Sequence, residues 1–179
     1  FTDRRQRQMC IRDSNNNLIS FNEHNCQKKT PRIINDLSIG KSIALVSDAG
    51  MPSICDPGEN LIKNVKANGI NVICIPGPCA AITAIITSGM PSSKFTFEGF
   101  LPKKKSQREQ ILIDISKNDK TTILFESPHR LKKLLIELKK YFGGSREIQI
   151  CRELTKKFEE HIGNNIDCLL YTSDAADDP

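Results

Sequence analysis

Two loops combine the residue types a small-molecule site needs. Residues 47–58, SDAGMPSICDPG, follow a short apolar run and hold Asp48, Asp56, two glycines and two prolines, a composition that fixes backbone shape and lets a ligand approach the main chain closely. Residues 76–80, PGPCA, follow a second apolar run and open an apolar helix, whose first N–H groups are unpaired donors. Either loop alone reads equally well as an ordinary strand-to-helix turn. Neither contains G-x-G-x-x-G or G-x-x-x-x-G-K-[ST], which argues against Rossmann dinucleotide and P-loop chemistry. Two later segments carry charge. Residues 125–130, FESPHR, join a strand to a helix, and residues 151–156, CRELTK, end the following strand. Arg130, Arg152 and Lys156 at adjacent strand ends would form an anion-binding surface, with Glu126 and Glu153 as the carboxylates beside it. His129 by itself reads as a helix N-terminal residue before it reads as a catalyst.

Strand ends can carry such a site only if helices and strands alternate, and from Thr30 onward they do. Thr30 as N-cap and Pro31 as first helical residue predict a helix with Ile33, Ile34 and Leu37 on its apolar face, ending near Gly40. Residues 43–46 and 72–75 are continuous apolar runs expected as strands covered on both faces. A helix at 59–67 stops at Asn68-Gly69, and the helix at 80–87, apolar nearly all round, is expected to be buried. Around residues 90–105 the composition shifts to Pro, Ser and three consecutive lysines, and a domain junction is expected there. Strand 95–100, a helix near 107–116, strand 121–125, helix 128–142 and strand 147–151 complete the pattern. The expected architecture is α/β with two lobes, residues 15–93 and 94–170.

The termini differ from this body. Residues 1–14 hold four arginines and two aspartates without a helical or strand period, and residues 171–179 are small and acidic, with three aspartates. Both resemble translated adapter sequence and are set aside as non-native, so the chain's net +5 becomes +6 for residues 15–170. A basic body suits a polyanionic partner. No apolar run is long enough for a membrane span and no secretion signal opens the chain, so a soluble intracellular protein is expected. Seven cysteines without a C-x-x-C pair predict buried thiols rather than zinc or disulfides.

Four strings, LVSDAGMPSICDPG, IPGPCAAITAIITSGMPSSKFTFEGFLPKK, ILFESPHRL and CRELTKKFEE, stand in this order here. In order and spacing they resemble the RsmI-type ribosomal RNA methyltransferases of the tetrapyrrole-methylase superfamily, over roughly residues 17–168. The resemblance implies a two-lobed tetrapyrrole-methylase-like fold with S-adenosylmethionine in the cleft between the lobes. It also implies a cytoplasmic homodimer that methylates a cytidine 2′-hydroxyl in small-subunit ribosomal RNA. Carried onto this chain, it puts Ser47, Asp48 and Met51, then Cys79 and Ala80, and finally Glu126 on the cofactor side. Two parts of the family pattern are not found: the opening strand and loop written much like PTPIGNL together with an AEDTR-like segment, and the closing strands. The chain is therefore expected to be an internal fragment with a truncated first lobe, inactive by itself.

Methyl transfer to a ribose hydroxyl needs in-line alignment and a base for the hydroxyl proton. Glu126 and Glu153 are the candidates, with Glu153 preferred, while Arg152 and Lys156 would hold flanking phosphates. No metal is required. Two rival readings remain open: a tetrapyrrole or the modified histidine of elongation factor 2 as acceptor on the same scaffold, and a non-catalytic RNA-binding module. Lys103, Lys104, Lys105 and Arg108, with Lys132, Lys133, Lys139 and Lys140, favour RNA, although they could equally be a solvated helix face.

Overall fold

The computed structural model describes residues 17–175. The proposed non-native segment 1–14 lies outside them, as do residues 176–179. The chain divides into two compact units between Cys79 and Ala80. The lobe boundary at 93/94 stands as a proposal about the complete protein.

In the first unit, helix α1 (Cys26–Ser38) and helix α2 (Glu59–Ala67) pack through Ile33, Leu61 and Val65, all buried, with Phe21, Ile34, Leu37 and Ile70 around them. Helix α1 starts four residues before the expected N-cap. Asn22 and Asn25 each accept a hydrogen bond from the other's backbone N–H, at 3.1 and 2.9 Å, so the turn is organised upstream. Thr30 lies inside the helix and donates to the Cys26 carbonyl at 2.7 Å. Helix α2 has the expected bounds and ends through Asn68 and Gly69, whose N–H groups close on the last carbonyls.

The strands expected at 43–46 and 72–75 are not formed: residues 41–47 and 70–79 carry no regular structure. A strand exists only by pairing, and among the described residues neither run has a ladder partner. Their apolar side chains stay in solvent, with Val46 60 %, Ile73 79 % and Ile75 81 % exposed.

The second unit opens with helix α3 (Ala80–Thr87), which buries Ala81 and Ile85 but leaves Ile82 and Ile86 exposed, so it is buried on one stripe rather than all round. Strand β1 (Phe95–Phe100), helix α4 (Lys105–Ser116) and strand β2 (Thr121–Phe125) form a parallel crossover unit. Its register steps at a bulge between Phe97 and Gly99, and Phe125 meets the rings of Phe97 and Phe100 edge-on. Helix α5 (Pro128–Phe142) starts with Pro at its first position and ends at Gly143. Strand β3 (Glu147–Arg152) pairs antiparallel with strand β4 (Glu160–Asn165), and helix α6 (Ile166–Ala175) follows, running into the segment set aside as acidic and unanchored. The core is Leu101, Leu112, Leu134, Leu135, Leu138, Ile166 and Leu169. Among the described residues, no helix is long and apolar enough to cross a membrane.

Candidate functional site

In the first unit the two glycine-bearing loops come into contact. Gly50 holds φ +81°, a conformation side chains with a Cβ rarely adopt, and a Cβ there would sit 3.3 Å from the Pro78 carbonyl oxygen. A Cβ on Gly77 would meet the Met51 side chain at 3.6 Å. Residues 47–58 and 76–79 therefore lie against each other, and Ser47, Met51 and Cys79 contribute partly buried side chains. Ser47 donates to the Asp56 carboxylate at 2.5 Å, across the base of its loop. Asp48 is exposed and has no hydrogen bond or ion pair among the described residues.

The remaining candidates belong to the second unit. Ala80 is exposed at the first position of α3. Glu126, directly after β2, is withdrawn from solvent with 5 % of its side chain exposed. Arg130 reaches Oε1 at 2.5 Å, the Ser127 N–H donates to the same oxygen at 2.8 Å, and Arg108 stands 3.6 Å from Oε2. Arg108 also grips Glu137 at 2.6 Å. The result is a chain of charges tying the end of β2 to α4 and α5. Sequence reading placed Arg108 among the surface cations and missed Glu137, because the pair is 29 residues apart and becomes visible only when the two helices lie side by side.

Arg152, Glu153 and Lys156 share the turn that leaves β3. Glu153 and Thr155 are both left-handed, φ +53° and +63°, which costs about 1–2 kcal/mol per residue for side chains bearing a Cβ. The turn is held from within: the Lys156 ammonium lies 3.0 Å from each Glu153 oxygen, and the Glu159 carboxylate accepts from the Thr155 N–H. Arg152 pairs with Glu160 across the hairpin at 3.3 Å. The His161 ring and the Thr155 N–H together hold the Glu159 carboxyl below its ordinary pKa. Burial pushes the Cys151 thiol up, against a hydrogen bond with Thr87. The described cysteines are free thiols as expected, yet none is fully buried: Cys55, Cys74 and Cys168 are exposed.

The family model for the Tetrapyrrole (Corrin/Porphyrin) Methylases matches residues 3–169. The chain belongs to this family. Among its relatives, a protein of Halalkalibacterium halodurans is 48 % identical over 150 residues, covering 84 % of this chain and 52 % of that protein. A Vibrio cholerae relative is 47 % identical over 140 residues, 78 % of this chain and 49 % of its own length. A relative from Escherichia coli O157:H7 is 43 % identical over 156 residues, 87 % of this chain and 54 % of its own. Each of the three bears the name ribosomal RNA small subunit methyltransferase I. The chain spans about half the length of these curated relatives. A solved structure, that of the methyltransferase CobJ, superposes with a TM-score of 0.60 at 19 % identity over 78 % of this chain and 63 % of that one, which supports the tetrapyrrole-methylase-like α/β fold alone.

Proposed function

We propose that the complete protein transfers a methyl group from S-adenosylmethionine to a cytidine 2′-hydroxyl of small-subunit ribosomal RNA. The observation that carries this reading is the 43–48 % identity to relatives named as small-subunit ribosomal RNA methyltransferases. S-Adenosylmethionine supplies an electrophilic methyl on a sulfonium. The first-unit loops fit such a ligand in kind: at Gly50, where φ is +81° and a Cβ would crowd the Pro78 carbonyl, the main chain is open to close approach, and Ser47, Asp48, Met51 and Cys79 flank it. Ala80 and Glu126 belong to the same cofactor-side proposal. Removal of the hydroxyl proton falls to Glu153. Both Glu126 oxygens face arginine, whereas Glu153 is exposed and its carboxylate pairs, among the described residues, with the flexible Lys156, which a phosphate can draw away. Arg152 and Lys156 then face the phosphates beside the target ribose. A cytoplasmic homodimer without a metal belongs to the same proposal.

The test is methyl transfer by the chain extended to its relatives' length with the flanking segments of the Vibrio cholerae protein. Labelled methyl is expected in small-subunit ribosomal RNA, not in a tetrapyrrole, and is expected to disappear with Glu153→Gln. Incorporation into a tetrapyrrole with none into RNA would replace this acceptor with the rival one. RNA binding without S-adenosylmethionine binding would leave only a non-catalytic module.

A further inference from the structure

Helices α4 and α5 enclose a cleft of about 430 Å3 that none of the residues proposed above enters. Its walls carry Lys103, Lys105 and Arg108 from one side and Lys133 and Lys140 from the other, with Glu109 and Glu137 as the acidic residues. The two lysine groups are some thirty positions apart in the chain. They converge because Lys105, Arg108 and Leu112 share one face of α4 while Lys133, Glu137 and Lys140 share one face of α5, at helical spacings of three and four.

Internal pairing separates these cations into two kinds. Arg108 is committed to Glu137 and Glu126, and Lys140 stands 3.8 Å from Glu109 and 3.3 Å from the Tyr141 hydroxyl. Lys103, Lys105 and Lys133 are exposed and have no ion-pair partner among the described residues. Other lysines on the same stretch are not part of the cleft: Lys139 pairs with Asp167 at 2.7 Å, and Lys104 and Lys132 do not line it. Tyr141 is the aromatic side chain of the lining, with the Lys140 ammonium 4.9 Å over its ring. Long, exposed, unpaired ammonium groups around an open cleft suit successive phosphates of a flexible strand better than one compact anion, which needs converging, buried donors. A cationic groove that follows the backbone is the arrangement that tracks single-stranded nucleic acid.

We propose that the α4–α5 cleft is a second RNA contact, apart from the methyl-transfer residues, in which Lys103, Lys105 and Lys133 neutralise backbone phosphates of a single-stranded segment of the substrate RNA. The proposal rests on the RNA-acceptor reading and adds a path for the strand. Each phosphate neutralised on a single strand contributes roughly 0.7 to the slope of log affinity against log salt.

The experiment follows a fluorescein-labelled single-stranded oligonucleotide of small-subunit RNA sequence by anisotropy across a potassium chloride series, with the full chain extended as in the methyl-transfer test. Lys103→Gln, Lys105→Gln and Lys133→Gln combined should reduce the slope by about 2, and Lys133→Gln alone by about 0.7. The three arginine replacements should retain the wild-type slope. Lys28→Gln, Lys63→Gln and Lys66→Gln, which remove the same charge from exposed positions on α1 and α2, should leave it nearly unchanged. RNA binding whose slope is insensitive to the cleft variants, or equally sensitive to the control set, overturns the cleft and leaves the acceptor reading standing. Absence of RNA binding while S-adenosylmethionine still binds overturns both.

Discussion

In the second unit four strands find partners, seven residues form a continuous buried core and charged side chains are tied across helices. In the first, among the described residues, two apolar runs of strand-like composition remain unpaired and the buried cluster packing α1 on α2 has three members. Both were written with the same alternation of helix and strand. The difference is that a helix satisfies its own backbone, whereas a strand's hydrogen bonds are owed to another segment. The first unit keeps its helices and the shape of its loops, while its expected strands lie open.

The comparison can be broken most directly in the two cores. Leu112→Ala, at a side chain 1 % exposed in the second unit, should cost about 3–5 kcal/mol, whereas Leu61→Ala in the first should cost clearly less, since neighbours there can collapse or hydrate. Equal losses in urea unfolding would mean that the units are equally well built. Glu126→Gln should cost about 3 kcal/mol by leaving Arg108 and Arg130 facing a neutral amide, with the loss read in the second unit's hydrogen-exchange protection. A neutral result would show that the charge chain is ornamental to stability.

Gly50→Val sharpens the other side. At φ +81° the substitution should cost about 1–2 kcal/mol, and it should weaken S-adenosylmethionine binding at least tenfold by calorimetry on the extended protein. Unchanged affinity would take this loop out of the cofactor surface. The smallest effect concerns acid. Glu159 has its folded pKa lowered, first by His161 and then by the Thr155 N–H, so its contribution is present above the unfolded carboxylate value of about 4.3 and is lost as pH falls through the folded value. Glu159→Gln should flatten the acid limb of stability below about pH 4.3, and a limb of unchanged steepness would assign it to other carboxylates.

Where local chemistry decides structure, the residues were readable. Helix 59–67 with its Asn-Gly stop, helix 80–87, strands 95–100 and 121–125, and the Pro-initiated helix 128–142 appear with the expected bounds. Strand β4, EHIGNN, escaped notice because it has neither apolar alternation nor β-branched enrichment and exists by pairing with β3. Helix α6 was not expected because its second half falls in the acidic segment 171–179 that was set aside, while its first half reaches the core through Ile166 and Leu169. At the candidate site, the 47–58 and 76–79 loops were expected to follow two strands that are not formed, so their closeness, seen at Gly50 with Pro78 and at Gly77 with Met51, was not legible from strand ends, and neither was the Arg108–Glu126–Arg130 arrangement. No periodicity announces a contact between side chains on separate elements.

The parallel pairing of β1 and β2 also orders events in time. Thr96 and Thr122, whose hydroxyls meet at 2.9 Å, are 26 residues apart, so their chain segment must close a large loop before any ladder bond forms. The β3–β4 hairpin closes over a short turn, on the order of microseconds. The phenylalanines of β1 and β2 therefore stay unpaired after the β3–β4 hairpin can close, and early formation of α4, which spans the loop they close, shortens that interval.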